Sequence, residues 1–364
     1  MKQASSAKKI LVVGENAIKM MTVGGGSSSL KVQHEISPLD GIRERAGKDV
    51  EVIYARGYVG DVSGSYNGVS SGQDLSESRS EKELTDEAVS LAKDADFVIF
   101  IGGLNKSNHQ DCEGTDRRSL GLPYNQDAVI SAIAAVQPNM AVALVSGNAV
   151  AMPWVNEVPT ILQAWYLGSE AGHSLADVLF GDVNPSGKLP FTFPVKLSDS
   201  PAHQEGMTFP TRGKNFYQEG IFVGYRWFEE KDIKPLFAFG HGLSYTTFSY
   251  GDAKIDKSSL SGNGSVTVTV RVTNAGEREG AEVVQLYIAD KESSLPRPKK
   301  ELKGFEKVNL APGASADVKF TITADALKFY DPETAGWKAE KGDFEALIGS
   351  ASDDIRTAVS FSLK

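Results

Sequence analysis

FVIFIGGLNKSNHQDCEGTDRRSLGLP, residues 97–123, places an apolar run directly before a long polar stretch, and a helix-like segment at residues 125–136 follows. This pattern predicts a buried strand whose carboxyl end carries a loop. Ligand chemistry in open α/β sheets collects at such ends. The loop, residues 102–123, is too polar and too long for a minimal connection. It gathers Asp111, Glu113, Asp116, Arg117 and Arg118 into eight residues, with Glu113 at the centre. A carboxylic acid that donates a proton near neutral pH needs its pKa raised by burial or by a second carboxylate. Glu113 lies between Cys112 and Gly114, neither of which solvates it strongly. Most loop glutamates are merely solvated, so on the loop alone that reading stands first.

On either side, apolar runs alternate with helical periodicity. Residues 9–14 (KILVVG), 50–55, 141–145 and 160–166 read as strands. Ser37 is placed as an N-cap with Pro38 at the first helical position of a helix that stops at Gly47. Residues 80–94 and 169–179 read as further helices. Strands alternating with helices predict a mostly parallel sheet with helices on both faces. Residues 57–79, rich in Gly and Ser, are expected to form a long surface loop at the same sheet edge.

GGGSSS, residues 24–29, follows the first strand and invites a phosphate-binding reading. Neither the Gly-Lys-Ser/Thr ending of a Walker loop nor the dinucleotide spacing is present, so nucleotide binding rests on little; a close backbone approach or plain flexibility remains.

From residue 184 to residue 250 the alternation gives way to an aromatic, Gly- and Pro-rich connector. Beyond it, VTVTVRV (266–272), VVQLYIA (283–289) and runs at 317–322, 344–348 and 359–363 alternate strictly, predicting a β-sandwich of about 110 residues. The 364 residues, 41% hydrophobic and 23% charged, suit two or three globular domains. A net charge of -9 without a basic cluster argues against nucleic acid or an anionic membrane as partner. The single Cys112 permits no internal disulfide, and His109-x-x-Cys112 reads as a chance pair, so no metal and no cofactor are expected. No apolar stretch reaches membrane-span length, and the first residues lack the features of a signal peptide.

The segments LADVLFGDVNPSGKLPFTFP (175–194), YQEGIFVGYRWF (217–228), FGHGLSYTTF (239–248), RVTNAGEREGAEVVQLY (271–287) and RPKKELKGFEKVNLAPG (297–313) together resemble the C-terminal half of glycoside hydrolase family 3, in that family's order. The resemblance implies an α/β sandwich domain over residues 8–195, an ordered connector over 196–249 and a fibronectin type III-like sandwich over 250–364. It implies a retaining, exo-acting β-glycosidase similar to β-glucosidases, acting on β-linked oligosaccharides or aryl and alkyl glycosides. The nucleophile would come from a (β/α)8 barrel and the acid/base from a Glu-Gly-x-Asp-Arg stretch. Here that stretch is Glu113-Gly114-Thr115-Asp116-Arg117, which makes Glu113 the expected acid/base, with Asp111 as competitor. Asp116 and Arg117 are expected to hold the loop in shape, and the substrate contacts are unknown. GGGSSS resembles a family loop on the active-site side.

No barrel precedes Lys8, and no barrel nucleophile strand is found in the chain. The expectation is a fragment or one chain of a split enzyme whose barrel is separate or cleaved, inactive alone, with an exposed docking face that could drive homo-oligomer formation. A non-catalytic carbohydrate-binding module using Tyr217, Tyr225 and Trp227 is the alternative. Location in the periplasm or outside the cell follows from the resemblance alone.

Overall fold

The computed structural model describes residues 5–22, 26–28, 30–60, 62, 65–66, 69–204 and 213–364. The chain forms two compact units, Met1–Val183 and Asn184–Lys364.

In the first unit, β1 (Lys9–Val13), β2 (Glu51–Ala55), β3 (Phe97–Gly103), β4 (Met140–Val145) and β5 (Thr160–Gln163) form one parallel sheet in the order β2-β1-β3-β4-β5. Strands β3 and β4 are buried along their whole length, as continuous apolar runs predict. Side chains on a strand alternate between faces. Ile10, Val12, Ile99, Ile101, Ala141 and Ala143 therefore share one face, packed with Leu39 and Ile42 of α1 (Pro38–Ala46) and Leu175 and Leu179 of α4 (Ala171–Phe180). The other strand positions meet α2 (Glu81–Asp94) and α3 (Gln126–Ala134), whose Leu84, Ala88, Val129 and Ile133 are fully buried. Each fully buried Leu or Ile contributes about 1.5–3 kcal/mol.

Helix starts follow local chemistry. The Ser37 hydroxyl accepts from the Asp40 N–H at 3.1 Å, with Pro38 in the first turn. Ser80 and Glu83 form a reciprocal capping box at the start of α2. Helix α1 approaches α4 so closely that a Cβ on Gly41 would lie 2.1 Å from the Gly172 carbonyl carbon, so both positions require glycine.

Two lengths differ from expectation. The strand predicted at 160–166 ends at Gln163, because Trp165 turns to φ 58°. The helix predicted at 125–136 is regular only over Gln126–Ala134.

In the second unit the strands begin at Phe248, after the connector. One sheet runs Ser259–Leu260, β11 (Asp354–Leu363), β10 (Gly342–Ala351), β7 (Gly280–Asp290) and β8 (Glu301–Leu310); the other runs β9 (Ser315–Thr323), β6 (Ser265–Asn274) and Phe248–Tyr250. Val266, Val268, Val270 and Val272 of β6 meet Val284, Leu286, Phe344 and Ile348 of the facing sheet in one core. Strand β8 was not expected from its sequence. It is an edge strand pairing only with β7, and its charged, half-exposed side chains conceal alternation while blunting the edge against further pairing. The aromatic connector, expected to be ordered though its sequence has little regular period, includes the short helix α5 (Tyr225–Glu230).

Candidate active site

The strand order places β1 between β2, its successor, and β3. The chain leaves β1 toward one side of the sheet and returns on the other, so the loops after β1 and β3 part there, which is where open α/β sheets bind ligands.

The loop after β3 is anchored at its root. Gln126, fully buried, accepts from the Gly103 N–H at 2.8 Å and donates to the Gly103 carbonyl at 2.9 Å. Asn16, from the segment after β1, donates to the Leu104 carbonyl at 3.0 Å. Two side chains then fasten the loop to the segment following β4. The Asp111 carboxylate accepts from the Gly147 N–H and Asn148 Nδ2, both at 2.6 Å, and from the Tyr166 hydroxyl at 3.1 Å. Arg117 donates to Asn148 Oδ1, to the Ala149 carbonyl at 2.6 Å and to the Leu120 carbonyl at 2.9 Å. Burial lowers the Arg117 pKa from its usual value. Asn148 thus bridges Asp111 and Arg117.

Between these anchors the residues around Glu113 project. Gly114 takes φ 92°, a left-handed conformation that favours glycine at this bend. Thr115 Oγ1 accepts from the His109 N–H at 2.8 Å and lies 2.9 Å from Cys112 Sγ. His109 donates from Nδ1 to the Asp116 carbonyl at 3.1 Å and accepts at Nε2 from Arg118 at 2.7 Å. His109 and Cys112, the pair weighed as metal ligands, are therefore each engaged inside the loop. Asp116 contributes its main chain to this network, and its side chain is exposed.

Glu113 is exposed, and Oε2 accepts two hydrogen bonds at 2.8 Å, from the main-chain N–H and the hydroxyl of Ser27. The N–H and then the hydroxyl of Ser27 hold the carboxyl below the usual glutamate range. Among the described residues, Oε1 has no partner. Ser27 belongs to GGGSSS, so the two stretches that stand out in the sequence meet across the switch point. The sequence placed that loop on this side but supplied no contact. Its Gly24, Gly25 and Ser29 lie outside the described residues.

The segment after β1 also carries an ion cluster that the sequence reading missed. Glu15, with no exposed surface, accepts from Lys19 Nζ at 2.9 Å, Arg56 Nη2 at 2.7 Å and the Gly60 N–H at 3.0 Å. The spacing Glu15 to Lys19 was the available signal. Nearby, Lys106 stacks over the Tyr166 ring at 5.3 Å, and burial lowers its pKa.

Of the connector aromatics, Trp227 is 7% exposed and donates to the Asp199 carbonyl at 3.0 Å. Tyr225 stacks on Phe239 and accepts from the Leu302 N–H at 2.9 Å. Tyr217 alone stands in solvent, 80% exposed, so the three make no common surface platform.

The model of the glycosyl hydrolase family 3 C-terminal domain matches residues 4–225, and that of the fibronectin type III-like domain matches residues 282–352. The chain belongs to glycoside hydrolase family 3. It is 49% identical over 356 residues to beta-glucosidase BoGH3A of Bacteroides ovatus, covering 97% of this chain and 47% of that protein. Thermostable beta-glucosidase B of Acetivibrio thermocellus is 41% identical over 347 residues, 95% of this chain and 43% of that protein. Among solved structures, the family 3 beta-glucosidase of Bifidobacterium adolescentis superposes with a TM-score of 0.85 at 34% identity, over 99% of this chain and 49% of the other. This family 3 chain spans about half the length of the relatives it matches, and the matched portion is their C-terminal part.

Proposed function

We propose that the chain is the C-terminal part of a retaining, exo-acting β-glycosidase of β-glucosidase type, and that Glu113 is its general acid/base. The observation that carries this reading is the convergence of the loops after β1 and β3 on the exposed Glu113 carboxylate, at the switch point of a family 3 domain. The names of the relatives support the β-glucoside as substrate class.

Retaining hydrolysis uses two carboxyl groups about 5–5.5 Å apart. Glu113 would supply one, and the nucleophile would come from a barrel in the remaining half of the enzyme. In the first step the Glu113 carboxyl protonates the departing oxygen; in the second, its carboxylate takes a proton from water, which attacks the glycosyl-enzyme. The Ser27-bound state favours the ionised form, which the second step uses. The protonated form needs the field of a second carboxylate. Asp111 suits the role less well because three donors, the Gly147 N–H, Asn148 Nδ2 and the Tyr166 hydroxyl, already hold it.

The test is Glu113→Ala in the enzyme that includes the barrel. Turnover of glycosides with poor leaving groups should fall far more than turnover of activated aryl glycosides, since only the former need a proton on the departing oxygen. Equal losses on both would remove Glu113 from the role. Export to the periplasm or cell exterior is part of the same reading and rests on the family resemblance.

A further inference from the structure

Residues 216–223 (FYQEGIFV) lie in the connector just before α5. Phe216, Tyr217, Ile221 and Val223 are 49–80% exposed within these eight residues, and among the described residues no other stretch of eight exposes more than two large apolar side chains. The stretch is held in shape. The Gly220 N–H donates to the Tyr217 carbonyl and the Phe222 N–H to the Glu219 carbonyl, both at 3.1 Å. Gly220 and Gly224 both take φ 58°, and Gly224 starts α5, whose Trp227 and Phe228 are buried. The strap is thus anchored at its carboxyl end while its apolar side chains stand in water. An aromatic side chain offers about 150–250 Å², so the four side chains together present on the order of 500 Å². That is the upper end of apolar patches on single chains, where docking sites are found.

The chemistry of the strap selects its partner. Glu219 is the one charge between Asn215 and Tyr225, so nothing here attracts a polyelectrolyte. An anionic membrane would need a basic face, which this stretch lacks. A sugar is gripped by polar groups set beside a ring, and Ile221 and Val223 supply neither. A second copy is a poor match in area, because separate chains that pair stably bury about 800 Å² each. A domain of the same polypeptide needs less, since tethering gives it a high effective concentration. Such a domain has a place: this chain covers 47–49% of the family 3 relatives it matches, so the same fold occurs there beside as much chain again. We infer that residues 216–223 are a docking strap for the N-terminal half of the enzyme, which buries Phe216, Tyr217, Ile221 and Val223. This rests on the reading of the chain as the C-terminal part of a longer glycosidase.

The experiment is hydroxyl-radical footprinting, read by mass spectrometry, of the 364-residue chain and of the enzyme that includes the barrel. Phe216 and Tyr217 should be labelled about fivefold less in the enzyme, as residues moved from the surface into a desolvated interface core. Phe216→Ser combined with Tyr217→Ser should lower the Tm of that enzyme by about 2–5 °C. The same pair should leave the Tm of the 364-residue chain unchanged, because there both rings are exposed. Equal labelling in the two forms overturns the inference, and so does an equal change in Tm. Protection within the 364-residue chain alone also overturns it, whether it grows with protein concentration, which means a second copy, or with added cellobiose, which means a sugar. Labelling reads burial and not activity, which separates the strap from the role of Glu113. An enzyme active on β-glucosides with the strap fully labelled overturns the strap alone. A protected strap in an enzyme whose turnover ignores Glu113→Ala supports the strap and removes the acid/base role alone.

Discussion

Ser27 gives both its main-chain N–H and its hydroxyl to the same oxygen of Glu113, at 2.8 Å each, across the point where the loops after β1 and β3 separate. Both bonds favour the carboxylate over the acid, and no burial opposes them strongly. Ser27→Ala removes the hydroxyl and keeps the N–H. The Glu113 pKa should therefore rise toward its ordinary value without fully reaching it, read by ¹³C NMR titration of the side-chain carboxyl. An unchanged titration would show that the main-chain bond alone sets the charge state. On the proposed acid/base role of Glu113, the same substitution in an enzyme that includes a barrel should move one limb of the pH–rate profile in the same direction.

Arg117 holds the other end of the loop. Its guanidinium is half-buried and serves Asn148, Ala149 and Leu120 together. Arg117→Ala leaves two carbonyls without this donor and should destabilise the first unit by about 2 kcal/mol, measured by urea unfolding. Arg117→Lys should recover little, since an ammonium lacks the planar fork that reaches acceptors on both sides. Accelerated proteolysis within residues 104–123 should accompany the loss.

The sequence carried the sheet, the sandwich and the position of Glu113, because each is encoded locally: unbroken apolar strands, strict alternation in VTVTVRV, and a charged loop containing Glu-Gly-x-Asp-Arg. The Ser27 contact was not legible, since it joins residues 86 apart and no local pattern states which serine of three faces the carboxylate. Strand β8 was hidden by the charges of its edge position. The Glu15 cluster lay between these cases. Its i,i+4 pair was visible, but its burial depends on Arg56 and Gly60 arriving from the end of β2.

A surface cluster joins α1 to α4 and should shape the pH dependence of the first unit. His173 contacts Glu44 at 2.8 Å and Glu170 at 2.6 Å, and Glu170 also meets His34. Glu44 and then Glu170 raise the His173 pKa; His34 and then His173 lower that of Glu170. The histidine contribution is complete below the ordinary imidazole value of about 6.5 and fades as pH rises through the raised value. The Glu170 contribution is complete above the ordinary glutamate value of about 4.3 and fades as pH falls through the lowered one. Stability from this cluster should therefore peak between about pH 4.5 and 6.5. His173→Gln should flatten the alkaline side of a Tm–pH curve, while all these groups being exposed keeps the effect small and sensitive to salt.

The Glu15 cluster should be the least tolerant polar feature of the fold. Glu15 is the shared anion for Lys19 and Arg56, and both cations are more than nine-tenths buried. Glu15→Gln preserves shape and an acceptor but leaves two buried cations without their common counter-charge, which should cost about 3–5 kcal/mol. Lys19→Met leaves Glu15 bonded to Arg56 and the Gly60 N–H, so its cost should be clearly smaller. Unfolding followed by the NMR signal of the Trp154 indole N–H, buried in the first unit, separates this transition from that of the second unit, which carries Trp227 and Trp337. Glu15 also opens the segment that leads to Ser27, so Glu15→Gln should shift the Glu113 titration in the same direction as Ser27→Ala. Lys19→Met should not. Equal destabilisation by the two variants would mean that the cluster acts by packing rather than by charge.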